Sequence, residues 1–147
     1  MIPQTEIELE KWMKERCFNF NGYSVNGNAI FEGCGIDRIG GEFIWYYTER
    51  GEKRNLKTFK TEKDLIDYAY EEVKSDKWAR THCIGFTSNK NESLELKNQL
   101  GKLGIEFIED EIPYYGVERI VYRTFVLGCD SLKVEDLKRK YYKENEN

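Results

Sequence analysis

Apolar and polar positions alternate most clearly over Glu42–Thr48, a segment that is also rich in aromatic residues. One face of this segment carries three aromatic side chains, Phe43, Trp45 and Tyr47. Such alternation predicts a partly buried strand. Glu49–Glu52 predicts a tight hairpin turn after it, because Gly51 readily adopts the positive φ that short hairpin loops need. Residues 53–60 then form the returning strand.

After the hairpin, the spacing of apolar residues changes from alternation to intervals of three and four, which predicts a helix. Thr61 stands at the cap position, with Asp64 three residues later as in a capping box. Apolar residues then recur at helical spacing, at Leu65, Ile66, Ala69, Tyr70 and Val73. They form one stripe, which we expect to pack against the sheet.

Three further helices are expected on similar grounds. Residues 5–17 and 91–103 form two of them, and Gly104 ends the second as a left-handed cap. The third starts at Asp130, whose carboxylate suits a helix cap, and runs to Tyr142. These helices flank the strand segments on both sides in the sequence.

The pattern is weaker between these elements. The Gly-rich residues 23–41 predict a bent strand or loop, in which Ala29–Phe31 is the expected strand. Residues 75–88 fit either a continued helix or irregular packing. Ile105–Glu109 and Val117–Leu127 predict two antiparallel neighbouring strands, joined by a loop that contains Pro113.

The order of these elements predicts an α+β fold, in which several helices pack on a mostly antiparallel sheet. The length of 147 residues suits a single domain over residues 1–147, because a chain of this size buries about two-thirds of its unfolded surface. Residues 142–147 are expected to form a frayed tail.

Several of these segments resemble the immunity proteins of bacterial polymorphic and contact-dependent growth-inhibition toxin systems. The likeness rests first on the aromatic strand and turn Trp45–Gly51 and on the helix start Phe59–Glu62. Three later segments add to it: Leu100–Phe107, Ile112–Gly116 and Tyr122–Asp130. The resemblance implies an α+β immunity protein, or antitoxin, with no catalytic site. Its expected partner is the C-terminal domain of one cognate toxin, a nuclease in particular.

Acidic residues near the predicted strand Ile105–Glu109 indicate the expected contact surface. The chain has 23 basic and 27 acidic residues and a net charge of -4, which mildly favours a basic partner. Carboxylates on the surface of a nuclease inhibitor take the place of phosphates, and tyrosines fill pockets as anchors. The expected contacts are Glu109, Asp110, Glu111, Tyr114 and Tyr115, with Asp37 and Glu42 as further candidates. A solvated strand edge, guarded by charge against aggregation, is the alternative interpretation of these acids.

A nucleic-acid-binding regulator is the alternative function. The hairpin 43–63 carries six basic residues near its aromatic strand: Arg50, Lys53, Arg54, Lys57, Lys60 and Lys63. Basic groups neutralise phosphates, and aromatic faces stack bases. Three glutamates interrupt the run, however, and no RNA-recognition motif is present.

A thiol enzyme is a third hypothesis. His82 is the single histidine and is adjacent to Cys83, while Cys34 lies between two glycines. Adjacent residues rarely face each other, so a structural histidine is the preferred interpretation. No zinc-finger spacing, phosphate-binding loop or dinucleotide motif occurs, and no cofactor or metal is expected. Without a basic segment leading into an apolar run, the protein is expected in the cytoplasm and not in a membrane.

Overall fold

The computed structural model describes residues 2–113, 115–116 and 119–144. Helices and two mostly antiparallel sheets make up this part of the chain, which confirms the predicted α+β class. The chain divides into two compact units, residues 1–80 and 81–147. That they form a single domain stays a prediction.

The first unit contains a sheet and two helices. Its elements are α1 Glu6–Glu15, β1 Tyr23–Ser24, β2 Gly33–Ile39, β3 Glu42–Glu49, β4 Glu52–Phe59, α2 Glu62–Lys74 and a 3-10 helix Lys77–Arg80. The strand order is β1-β2-β3-β4. β1 pairs with β2 in parallel, and the other neighbours are antiparallel. β4 is therefore an edge strand.

Two tight turns build the meander β2-β3-β4. Arg50 and Gly51 both have positive φ, 51° and 79°, as a two-residue hairpin loop of type I′ requires. Gly40 and Gly41 form the equivalent turn between β2 and β3, with φ of 58° and 80°. The strand expected at residues 29–31 was wrong, because this turn pairs the later segment Gly33–Ile39 with β3 instead.

The predicted caps start both helices of this unit. The Thr5 hydroxyl accepts the Glu8 N–H at 3.1 Å, and the Thr61 hydroxyl accepts the Asp64 N–H at 3.1 Å. The helices and the sheet enclose one apolar core. Its buried members include Leu9, Met13, Trp45, Leu65, Ile66, Ala69 and Val73. The apolar stripe predicted for α2 is thus buried, apart from the half-buried Tyr70.

The second unit contains a three-stranded sheet with helices on it. Its elements are β5 Thr81–Thr87, α3 Lys90–Lys102, β6 Phe107–Ile112, β7 Val121–Leu127, a 3-10 helix Gly128–Lys133 and α4 Glu135–Tyr141. The strand order is β5-β7-β6, with both pairs antiparallel. Neither alternative predicted for residues 75–88 contained a strand, but Thr81–Thr87 form β5 by pairing with β7, after the 3-10 helix Lys77–Arg80.

The end of the chain differs from its prediction. Asp130 lies in the 3-10 helix and pairs with Lys133 at 3.0 Å, so it does not cap the last helix. α4 begins after Val134, without a side-chain cap. Tyr142 bridges Phe86 in parallel, and the Lys143 N–H donates to the Phe86 carbonyl at 2.8 Å. The frayed tail therefore excludes Tyr142 and Lys143, and residues 145–147 lie outside the described residues.

The predicted glycine cap ends α3. Gly104 has φ of 70°, and the Ile105 N–H donates to the Leu100 carbonyl at 3.0 Å, as in a Schellman motif. Leu100 is fully buried in the core of this unit. The other buried members of that core are Ile84, Leu96, Ile105, Val126, Val134 and Tyr141.

Helix length and composition bear on membrane insertion. In the part of the chain that the structure describes, every helix is too short or too polar to span a bilayer.

Candidate functional site

The free edge of β6 carries three of the predicted contact residues. β6 is the last strand of the order β5-β7-β6, so within the second unit only one of its edges pairs with a described strand. Its six residues pair with β7 in continuous register, from Phe107 with Val126 to Ile112 with Val121. No bulge interrupts this ladder. The outer side of β6 is consequently a regular row of backbone donors and acceptors.

The acids of β6 alternate between the two faces of the sheet. Glu109 and Glu111 lie opposite Thr124 and Tyr122 of β7, on the face that α3 covers. The Lys97 ammonium of α3 pairs with Glu109, with Nζ and Oε2 at 2.5 Å. This lysine offsets the charge of Glu109, so the electrostatic contribution of Glu109 to a partner is reduced.

Asp110 points to the other face and is also paired. Arg123 donates to it twice, from Nε to Oδ1 at 2.8 Å and from Nη2 to Oδ2 at 2.5 Å. This fork-to-fork geometry is the strongest common arrangement of an ion pair. The hydrogen bonds with Asp110 raise the pKa of Arg123. Asp110 therefore acts mainly within the sheet.

Glu111 is the remaining acid of the strand. It is exposed, and among the described residues it has no cationic partner. Beside it is a depression of about 330 Å³ between the start of α3 and β6. The depression is lined by Lys90, Ser93, Lys97, Glu109, Asp110, Glu111 and Tyr122. The site combines one unpaired carboxylate, one aromatic ring and an open strand edge.

The structure describes one of the two tyrosines predicted as contacts in the loop after β6. Tyr114 lies outside the described residues. Tyr115 is half-buried, with its ring edge-on to Phe86 at a centroid distance of 5.3 Å and the Arg119 guanidinium 5.1 Å from its centroid. The Tyr115 N–H also donates to the Arg119 carbonyl at 2.8 Å. Tyr115 is thus packed against its own unit on at least one side.

Asp37 and Glu42, the further candidates, belong to the first unit. Asp37 on β2 pairs with Lys53 of β4 at 2.9 Å. Glu42 is exposed at the start of β3. They lie on a different sheet from the acids of β6.

In the basic hairpin, cationic side chains of β4 pack over the aromatic rings of the neighbouring strand β3. Lys53 lies 4.2 Å from the ring centroid of Tyr46, and Arg54 lies 5.7 Å from that of Tyr47. The Tyr47 hydroxyl is also hydrogen-bonded to Glu49 at 2.9 Å and to Glu32 at 3.0 Å. These carboxylates raise the pKa of Tyr47 to about 12. Cations and acids therefore already occupy the ring faces and hydroxyl that a nucleic acid would use.

The geometry does not favour thiol chemistry. His82 lies opposite Val126 and Cys83 opposite Phe125, so the two side chains point to opposite faces of β5. Burial raises the pKa of Cys83 to about 11 and also raises the pKa of Cys34. A raised pKa disfavours the thiolate, which is the nucleophilic form. Among the described residues, no group of three or more His, Cys, Asp and Glu has the geometry to hold a metal ion.

Sequence reasoning named Glu109, Asp110 and Glu111 as contacts, which stays a prediction. It ended the strand at Glu109, whereas β6 continues to Ile112, and it missed the partners of these acids. Lys97, Lys90 and Tyr122 come together with Glu111 only through the packing of α3 and the register of β7. Arg123 offered one usable signal, because a charged residue within the apolar run 121–127 requires a partner on a neighbouring strand.

Comparison of the chain with protein-family models, with curated proteins and with solved structures gives no match. The site is therefore interpreted from its own geometry.

Proposed function

We propose that this chain is an immunity protein, which binds a cognate bacterial toxin domain and neutralises it by tight association in the cytoplasm. The toxin would be a basic nuclease, and the chain itself would carry no catalytic activity. The observation that carries the proposal is the free edge of β6, where the exposed Glu111 lies beside a depression lined by Tyr122. The resemblance of residues 41–137 to immunity proteins supports the choice of partner.

The electrostatics of the edge suit an inhibitor of an enzyme that binds phosphates. A carboxylate at Glu111 attracts the cationic groups of such an enzyme and accelerates encounter. Neutralising a lethal enzyme requires nanomolar affinity, or about -12 kcal/mol. An interface of standard size buries about 800 Å² on each partner. The edge of β6 would supply one part of that area, and Tyr115, which packs against Phe86 on the opposite face of the sheet from Glu111, would extend it around the edge.

The nucleic-acid alternative has less support. Lys53 pairs with Asp37 and covers Tyr46, and Lys63 pairs with Asp67 at 2.9 Å. A nucleic acid would have to displace these contacts before its phosphates and bases could bind. This alternative predicts oligonucleotide binding that weakens steeply with salt.

Co-expression in a sensitive bacterium tests the proposed function. The toxic C-terminal domain of a secreted protein encoded next to this chain is expressed alone, with the chain, and with a variant that has Tyr115 and Glu111 replaced by alanine. We expect the chain to restore growth and to co-purify with the toxin domain, and the double variant to restore growth less well. Continued toxicity with both proteins soluble, and no complex, would reject the immunity function.

A further inference from the structure

We infer that the partner contributes an extended basic segment, which pairs with β6 as an additional strand of the second sheet. One arginine or lysine of that segment would lie at Glu111 beside the ring of Tyr122. This inference deepens the proposed function and relies on it for the identity of the partner. Strand addition of this kind takes its affinity from backbone hydrogen bonds and its specificity from alternate side chains.

The two edges of the second sheet differ in what covers them. At β5, the end of the chain lies along the edge: Tyr142 bridges Phe86, and the Lys143 N–H donates to the Phe86 carbonyl. At β6, no described segment of the same unit occupies the corresponding position. Within the described residues of this unit, residues 142 and 143 thus cover one edge of the sheet, and no described strand pairs with the other edge.

The edge of the first sheet provides a useful contrast. β4 is also an edge strand, but its pairing with β3 is interrupted by an irregularity between Trp45 and Tyr46. It also carries Lys53, Arg54 and Lys57, which are typical guards against edge pairing. β6 has a continuous ladder with β7, and its guards are the acids Glu109, Asp110 and Glu111, which oppose an acidic strand but not a basic one. Of the two strands, β6 is the better template for an added strand.

Charge decides the chemistry of the added segment. Side chains of the new strand would alternate between the two faces of the sheet, as those of β6 do. On one face Asp110 is already held by Arg123, and on the other Glu109 is held by Lys97. Glu111 has no ion pair among the described residues, although Lys90 and Lys97 line the same depression, and its cross-strand neighbour Tyr122 presents an aromatic ring there. A carboxylate and a ring together favour a guanidinium or ammonium group.

Selection from a displayed library of short random peptides tests this inference without any toxin. The protein serves as bait, and enriched peptides are synthesised and titrated by fluorescence anisotropy. We expect peptides with alternating residues and at least one Arg or Lys. Methylation of alternate backbone nitrogens should abolish binding, because it removes the donors of a strand but keeps every side chain.

Variants of the protein locate the binding on β6. Glu111→Lys should weaken the selected peptides about tenfold or more, and Glu111→Gln should weaken them less. Glu71→Lys makes the same change of charge at an exposed position of α2 and should leave the affinity unchanged. Amide exchange in β6 should slow when a peptide is bound.

Three results would overturn the inference. They are the enrichment of no peptide, binding that survives backbone methylation, and binding that is indifferent to Glu111→Lys. A dimer of the protein alone that Glu111→Lys dissociates, measured by analytical ultracentrifugation, would assign the edge to self-association and would also reject it. The proposed function fails separately, by loss of growth rescue, so the two failures are distinguishable.

Discussion

Asp110 of β6 and Arg123 of β7 lie directly opposite each other and share two hydrogen bonds, at 2.8 and 2.5 Å. Both side chains are about one-third exposed. The pair ties the edge strand to the centre of its sheet and offsets the charge of Asp110. Together with the pairing of Glu109 with Lys97, it leaves Glu111 as the acid of β6 most available to a partner.

Removal of Arg123 should therefore destabilise the edge strand. Arg123→Leu leaves the Asp110 carboxylate without its two donors, and we expect a loss of about 1 kcal/mol in the free energy of unfolding, reduced by partial exposure. Urea denaturation followed by circular dichroism measures it. Asp67→Ala breaks the more exposed pair with Lys63 and should change the stability by less than about 0.5 kcal/mol. Equal effects of the two variants would contradict the role given to Arg123.

Gly35 tests the packing of the first sheet. A Cβ at this position would lie 2.4 Å from the Tyr46 hydroxyl and 2.5 Å from its Cζ, so Gly35→Ala should cost about 2 kcal/mol or more. In a Tyr46→Leu background the contact with the ring is removed and, of the three nearest atoms, only the Ser24 Cβ remains, at 2.9 Å, so the same substitution should cost at least about 1 kcal/mol less. Gly101→Ala is the control. A Cβ at Gly101 meets nothing within 4 Å, and the helix should gain about 0.5 to 1 kcal/mol. Additive effects at Gly35 and Tyr46 would contradict this packing.

Glu6 connects three elements of the first unit. Its carboxylate accepts the Asn26 N–H at 2.7 Å and lies 3.4 Å from the Arg38 guanidinium, which also contacts Glu62. Glu6 is buried, so Glu6→Ala leaves the Asn26 N–H without its acceptor and Arg38 with Glu62 alone, and it should cost about 1 to 3 kcal/mol. Glu71→Ala, an exposed change on α2, should be nearly neutral. Thermal denaturation of both variants measures the two changes in stability. An unchanged stability of Glu6→Ala would show that the hydrogen-bond network of Glu6 contributes little.

Cys83 gives a prediction in pH. Burial raises its pKa from 9.0 to about 11, so the folded protein holds the thiol in its neutral form. The contribution of the neutral Cys83 thiol to the free energy of unfolding is therefore complete below pH 9.0, the ordinary pKa of a thiol. It is lost as the pH rises from there toward about 11. Iodoacetamide labelling, read by mass spectrometry of the Cys83 peptide, should be slow at neutral pH and faster only in strong base or after unfolding. Rapid labelling of the folded protein at neutral pH would revive the thiol-enzyme hypothesis.

The sequence predicted most reliably those features that local chemistry determines. The turn at Gly51, the cap at Thr61 and the helix end at Gly104 each depend on the preference of one residue, and all three are present. β2 was missed because its residues have little strand preference, and it forms through pairing with β3 across the glycine turn at 40–41. Pairing of this kind depends on tertiary structure.

The candidate site likewise combines features that local sequence indicates with features that depend on tertiary structure. Composition indicated the acids at 109–111, because a run of charged residues is visible in the sequence, but it did not show that all three lie on an edge strand. Their charge balance was not visible, since Lys97 reaches Glu109 from a helix and Arg123 reaches Asp110 from the next strand. Register and helix packing, which the sequence does not state, therefore decide that Glu111 is the available acid.

Isothermal titration of the purified toxin domain with this protein tests the central claim most directly. We predict nanomolar binding for the wild type and for Glu71→Lys, and binding at least about tenfold weaker for Glu111→Lys. The association rate, measured separately by stopped-flow fluorescence, should also fall with added salt, because the encounter is steered by charge. Equal affinity of Glu111→Lys and the wild type would reject β6 as the contact edge, and no binding of the wild-type protein would contradict the account as a whole.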